Sequence, residues 1–151
     1  MTNMDANVHE FKIAGVEEGE PLVAVEAERN IPINLRRVYW IFGTKRGRTR
    51  ARHAHRNVNQ VLICVHGSCK VLMDDSIEKQ TVVLDRPDLY LYMGSMIWHE
   101  ITDLSDHCVL LVLSDNYYNE SDCINDYESF RRMLDQSPSP DTQITKPIIS
   151  N

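Results

Sequence analysis

The chain has 151 residues, 42% of them hydrophobic, and a formal net charge of −6. That length predicts one domain able to bury a core. No apolar run nears the roughly 20 residues of a membrane helix and no charged leader precedes an apolar stretch, so a cytoplasmic protein with no membrane partner is expected.

Residues 1–8 are polar and expected to be loose. Residues 21–26 read as a strand after the Glu-rich run Glu17–Glu20. Residues 37–42 (RVYWIF) are aromatic and β-branched, a strand pattern. Residues 59–65 form an apolar strand, His66-Gly67-Ser68 a turn, and residues 70–73 its hairpin partner. Asp74-Asp75-Ser76 supplies the next turn. Residues 79–84 alternate up to the break at Asp85-Arg86-Pro87-Asp88, and residues 89–93, 96–101 and 108–113 complete the series. Short strands at this rhythm predict a closed or two-sheet β architecture. One helix follows: Cys123, Tyr127, Phe130 and Leu134 share one helical face. Ser121 is its predicted N-cap, Asp122 lies in its first turn, and Arg131 and Arg132 lie toward its end. The domain is assigned to residues 1–135 and a flexible tail to 136–151, opening on the linker-like Gln136-Ser137-Pro138-Ser139-Pro140.

The four cysteines, Cys64, Cys69, Cys108 and Cys123, make no Cys-x2-Cys pair. Reduced thiols are expected, not a zinc ribbon or a disulfide frame. Charge is segregated: no Asp or Glu occurs between Glu28 and Asp74, and eight of the sixteen basic residues lie from Arg36 to Arg56. A local basic segment in an acidic protein suits a small anionic ligand. The overall charge and the lack of an aromatic–basic RNA motif argue against nucleic acid.

That segment contains Gly47-x5-His53-Ala54-His55-x4-Gln60-x6-Gly67. On a strand, His53 and His55 face the same way, about 6–7 Å apart, and in a small barrel that face is the interior. Two such imidazoles are metal ligands, proton carriers or hydrogen-bonded core residues. The spacing resembles the first cupin motif, with Gln60 where a metal-binding cupin carries Glu. Gly94, Met96, His99 and Asp103 stand where the second motif has Pro, Gly, His and Asn. Three imidazoles suit a divalent ion, but a neutral Gln60 removes one negative charge from the site. His99 reads equally as a core histidine bonded to backbone.

Beyond these motifs the chain resembles the sugar-nucleotide 3,4-ketoisomerases, the dTDP-4-keto-6-deoxyhexose isomerases of deoxyaminosugar pathways. The resemblance covers residues 20–130. It is carried by residues 36–44 (RRVYWIFGT), residues 49–55 (TRARHAH), Asn59-Gln60, Val65-x-Gly67, residues 96–100 (MIWHE), residues 108–115 (CVLLVLSD) and Tyr117-Tyr118. It implies an all-β cupin jelly-roll barrel with a short C-terminal helix. It implies a homodimer, no metal and no other cofactor, and a thymidine-diphosphate keto-sugar as substrate. A PLP-dependent aminotransferase is the implied pathway neighbour, in making deoxyaminosugars for lipopolysaccharide, other surface glycans or glycosylated metabolites. Ala51 departs from the family's Gly, and Gly94-Ser95 from its prolines.

The reaction moves a hydrogen from C3 to C4 and a proton between O3 and O4 through an enediol or enediolate. Histidine is the natural base, and donors are needed at the developing oxyanion. On the resemblance, His53 is assigned as the base and His55 as the shuttle, although strand geometry does not order the two. Tyr39 is a donor to the sugar oxygens. Arg50 is assigned to the phosphates, with Arg37 as a second candidate. Gln60 holds a histidine tautomer or a sugar hydroxyl, and His99 contacts substrate. Trp98 is carried as a candidate to stack on sugar or thymine, although core packing is the favoured reading of it. Three other readings stand beside this one: a metal-dependent cupin oxygenase or isomerase using His53, His55, Gln60 and His99, a non-catalytic sugar-nucleotide binding module, and cupin 3,5-epimerase chemistry, against which only the resemblance argues.

Overall fold

The computed structural model describes residues 4–137. In chain order its strands are β1 (Ala6–Glu10), β2 (Ile13–Ala14), β3 (Leu22–Val23), β4 (Arg37–Ile41), β5 (Arg50–His55), β6 (Gln60–His66) and β7 (Cys69–Asp74). They continue with β8 (Lys79–Leu84), β9 (Leu89–Met93), β10 (Trp98–Thr102), β11 (Val109–Ser114) and β12 (Cys123–Ile124). A short 3-10 turn (Glu120–Asp122) precedes β12, and one helix, α1 (Tyr127–Gln136), ends the described chain.

Two five-stranded sheets form the body, in the orders β1-β9-β6-β11-β4 and β12-β5-β10-β7-β8. All of their pairings are antiparallel. This is the jelly-roll sandwich, all β apart from one short C-terminal helix. Leu62, Cys64, Val71, Met73, Leu91, Ile101 and Leu110 fill the space between the sheets.

The outer faces explain why some strands do not alternate. β6 is buried along both faces: Leu62 and Cys64 enter the central core, while Val61 and Ile63 meet Phe11, Ile31 and Ile33 of the N-terminal segment. A sheet covered on both sides reads as a continuous apolar run. On the second sheet, Phe130 of α1 covers Ala54, Trp98 and Ile124.

Four expectations need correction. Residues 6–8 are not loose, because they pair with β9. The strand expected over residues 21–26 shrinks to β3, paired only with β2. Residues 70–73 do not form a hairpin with residues 59–65: β6 pairs with β9 and β11, and β7 with β8 and β10. Gly67, at φ 77, carries the chain from one sheet to the other, and a β-carbon there would strike Ser105 and Cys108. The helix begins later than expected. Its N-cap is Asp126, whose carboxylate accepts from the Ser129 N–H at 2.8 Å, and Cys123 lies in β12. The helical stripe itself persists from Tyr127 through Phe130 to Leu134. The tail expected over 136–151 falls almost entirely outside the described residues.

Candidate active site

The chain opens at one edge of the sandwich, where β4 borders one sheet and β5, next to β12, lies near the border of the other. A cavity of about 200 Å³ sits there, lined by Arg37, Tyr39, His53, His55, Gln60, Asp122 and Cys123, with Tyr117 and Tyr118 at its side. Each strand delivers its residues by parity: Arg37 and Tyr39 from β4, His53 and His55 from β5, Gln60 from the start of β6.

His53 and His55 meet edge to face with ring centroids 4.8 Å apart, and His99 on the adjacent β10 lies 4.9 Å from His53 and 5.9 Å from His55. The approach is closer than two-residue spacing on a flat strand gives. The register shifts between His99 and Glu100, where β5 bulges through Ala51 (φ 68) and Arg52 (φ 64). A bulge re-aims the side chains that follow it.

The rings differ in their engagement. His55 is held at both nitrogens. Its Nδ1–H donates to Asp122 Oδ2 at 3.2 Å, and its Nε2 accepts from Gln60 Nε2 at 3.3 Å. Gln60 also donates to the Tyr39 hydroxyl at 3.2 Å. Asp122 is anchored in turn by the Asn57 N–H at 2.8 Å. His99 donates from Nδ1 to the Ile97 carbonyl at 3.1 Å. No hydrogen bond engages the His53 ring among the described residues, and His53 lines the cavity.

Protonation follows burial. Desolvation, with His55 adding to it, pushes the His53 pKa down to about 4. His99 is pushed down to about 3 by burial and then by His53. Burial also lowers His55, but the Asp122 carboxylate works against it. Burial raises the Tyr39 hydroxyl, opposed by Arg37. The site at neutral pH therefore holds neutral imidazoles and a protonated tyrosine. The Arg37 guanidinium lies over the Tyr39 ring at 4.4 Å and over the Tyr118 ring at 5.0 Å, which keeps one fixed positive charge at the wall.

Six of the eight residues expected from sequence therefore converge: His53, His55, Tyr39, Arg37, Gln60 and His99. Arg50 does not join them. It lines a separate cavity of about 460 Å³ with Thr44, Lys45, Arg48 and Leu104, at the start of β5. Trp98 points to the other face of β10, 6% exposed, packed on Tyr127 and Phe130 with its Nε1 donating to Glu100. Core packing, the reading favoured for it, is what the geometry shows, and the stacking assignment is withdrawn. His99 is both things it was read as: bonded to backbone, and in ring contact with the pair. Sequence reasoning missed Asp122, which it placed in a helix. A carboxylate 67 residues from its histidine leaves no local signal.

Metal ligation was tested on the same geometry. The donor nitrogens of His53, His55 and His99 all lie within 4.8 Å of one another. The set fits an ion only in part: Gln60 already occupies His55 Nε2, and no carboxylate stands where Gln60 is.

Comparison with known proteins adds the following. The family model described as FdtA, WxcM-like, C-terminal, matches residues 4–135. A TDP-4-oxo-6-deoxy-alpha-D-glucose-3,4-oxoisomerase from Aneurinibacillus thermoaerophilus is 42% identical over 131 residues, 87% of this chain and 94% of that protein. A 3,4-ketoisomerase from Helicobacter canadensis superposes with a TM-score of 0.85 at 34% identity, over 88% of this chain and 99% of that one. QdtA, a sugar 3,4-ketoisomerase from Thermoanaerobacterium thermosaccharolyticum solved with TDP, gives a TM-score of 0.84 at 32% identity, over 89% and 97%. A histidine-to-asparagine mutant of QdtA was solved with TDP-4-keto-6-deoxyglucose.

Proposed function

Because this chain belongs to the FdtA family, we propose that it converts dTDP-4-keto-6-deoxyglucose to a dTDP-3-keto-6-deoxyhexose, galacto or gluco at C4. At the coarser level it is an isomerase acting on a TDP-linked sugar, a 3,4-ketoisomerase. The observation that carries the finer reading is the contrast within the pair: His53 is neutral and unengaged, while His55 is fixed between Asp122 and Gln60.

A base needs a free lone pair, and the neutral His53 ring, unengaged by other side chains and lining the cavity, supplies one. It takes the proton from C3, which is acidic beside the C4 ketone, and returns it to C4. The electrons pass into the C3–C4 enediolate and back. His55 works at the oxygens. Once a substrate oxygen displaces Gln60 from Nε2, that nitrogen takes the O3 proton and delivers one to O4, and Asp122 opposite Nδ1 stabilises the imidazolium. The Tyr39 hydroxyl, kept protonated by burial, donates to the developing oxyanion. Arg37 supplies fixed positive charge beside it. Arg50, with Lys45 and Arg48, lines a separate cavity at the start of β5, and its guanidinium fork suits the substrate's diphosphate.

The product fits deoxyaminosugar synthesis for surface glycans, with a PLP-dependent aminotransferase acting next at C3. We assign the assembly as a homodimer. Its support is β4, a sheet-edge strand that leaves Val38, Trp40 and Phe42 exposed on one face. The convergence of three imidazoles keeps the metallocupin reading open as a second one.

Proton NMR of dTDP-4-keto-6-deoxyglucose with EDTA-treated protein tests these readings together. A 3-keto product forms if the proposal holds, and its couplings give the C4 configuration. No product until a divalent ion is restored would transfer the site to metal chemistry. TDP binding with no product under either condition would make this a binding module.

A further inference from the structure

A second cluster of reactive side chains lies within the core, apart from the catalytic cavity. Cys64 on β6, Cys69 at the start of β7 and Cys108 before β11 come from three separate segments and are 0–1% exposed. Their sulfurs lie within 4.8 Å of one another, and the Cys64 and Cys108 sulfurs are 3.5 Å apart. We propose that these three thiols form a trigonal site for one thiophilic divalent ion of the zinc, cadmium and mercury group.

The spacing decides among the possible uses. A metal bound to three sulfurs at about 2.3 Å, in a plane, sets them about 4 Å apart; the Cys64 and Cys108 sulfurs, 3.5 Å apart, are near that value, and all three lie within 4.8 Å of one another. A disulfide needs about 2.05 Å; the Cys64 and Cys108 sulfurs, 3.5 Å apart, are free thiols in contact and not bonded. Soft sulfur donors select soft cations. Three thiolates with a divalent ion leave one net negative charge, and with a monovalent ion two; the surrounding Leu62, Val71 and Leu110 favour the smaller. No further imidazole or carboxylate joins the cluster among the described residues, which favours an ion content with three ligands.

Binding is proton exchange without electron transfer. Each S–H that ligates releases its proton to solvent, up to three per ion. A thiol that ligates must give up its proton to do so, so binding weakens as pH falls. Entry runs past Leu104, which belongs to the same core cluster and also lines the two surface cavities at that end of the sandwich.

The test is a cadmium(II) titration of EDTA-treated protein, both folded and during refolding from urea, followed by ultraviolet charge-transfer absorption. The expected result is a thiolate-to-cadmium band that saturates at one equivalent, with proton release and a raised Tm. The band should vanish in Cys69→Ala and persist in Cys123→Ala. Absence of a saturating band by both loading routes overturns the site, as does a band that survives Cys69→Ala. If Cys69→Ala fails to fold, Cys108→Ala takes its place, and the wild-type titration alone still overturns the proposal. Cadmium bound without the charge-transfer band would place it on the histidines and equally exclude the thiol site.

Discussion

His53 and His55 stand two residues apart, yet burial and bonding give them different work. A His53→Asn variant is expected to lose about 10²–10⁴-fold in kcat or more, while calorimetry finds TDP binding changed by only several-fold; wild-type turnover would remove His53 from the base position. Because the His53 pKa is lowered to about 4, the free enzyme keeps its base as pH falls through the ordinary histidine range. The acid limb of kcat/KM should therefore lie near pH 4–5, not near 6.5. Asp122 acts through His55. Asp122→Asn removes the charge opposite Nδ1 and should lower kcat about 10–100-fold with little change in KM. Steady-state kinetics checks this, and an unchanged kcat would leave Asp122 a structural role only. The histidine pair was legible because strand parity places both on one face. Asp122 was not, because its partner is joined to it only by the folding of distant segments.

At the scale of elements, the bulge in β5 aims the pair. Ala51 and Arg52 occupy the left-handed region, which costs a residue with a β-carbon and costs a β-branched one most. Ala51 stands where the resemblance implies Gly, so the departure noticed in the sequence falls at a backbone demand. Ala51→Gly should be near neutral: relief of the positive φ is offset by lost packing and by glycine's unfolded-state entropy. Ala51→Val should cost about 1–3 kcal/mol and reduce activity by turning His53 away. Urea midpoints of the two variants, with turnover measured on each, separate these outcomes; a fully stable and active Ala51→Val would mean the bulge does not set the site. The other departures from expectation are also pairing effects. Residues 59–65 and 70–73 look like a hairpin because a tight turn joins them, and only their partners in different sheets reveal the crossing. Cys123 fits a helical period by coincidence, because β12 is two residues long and leads straight into the helix.

Across the whole molecule, what sequence made legible was each strand with an apolar face and a turn on either side. Strands held by pairing more than by burial, β1 and β2, were not legible, since few of their residues are buried. The sandwich also explains a dependence of stability on acidity. It encloses imidazoles whose pKa values lie below the unfolded value of about 6.5: His53 at about 4, His99 at about 3, and His55 lowered as well. Between those values and 6.5 the unfolded chain binds more protons than the folded one, so stability rises with pH across that window. It is fully present above about pH 6.5 and is lost as pH falls toward 4. Each proton in that difference changes stability by about 1.4 kcal/mol per pH unit. The surface carboxylates Asp88 and Asp126, whose pKa values are lowered by hydrogen bonds from Arg86 and Ser129, act in a lower window. Their contribution is present above the ordinary carboxylate value and fades only as pH drops through their folded values. Urea denaturation at pH 7.5, 6, 5 and 4.5 should therefore show a midpoint that falls from about pH 6.5 downward. His53→Asn should make that fall shallower by about one proton's worth. A midpoint flat from pH 7.5 to 4.5 would mean that the buried imidazoles gain protons as readily folded as unfolded, and the neutral base on which the mechanism depends would go with it.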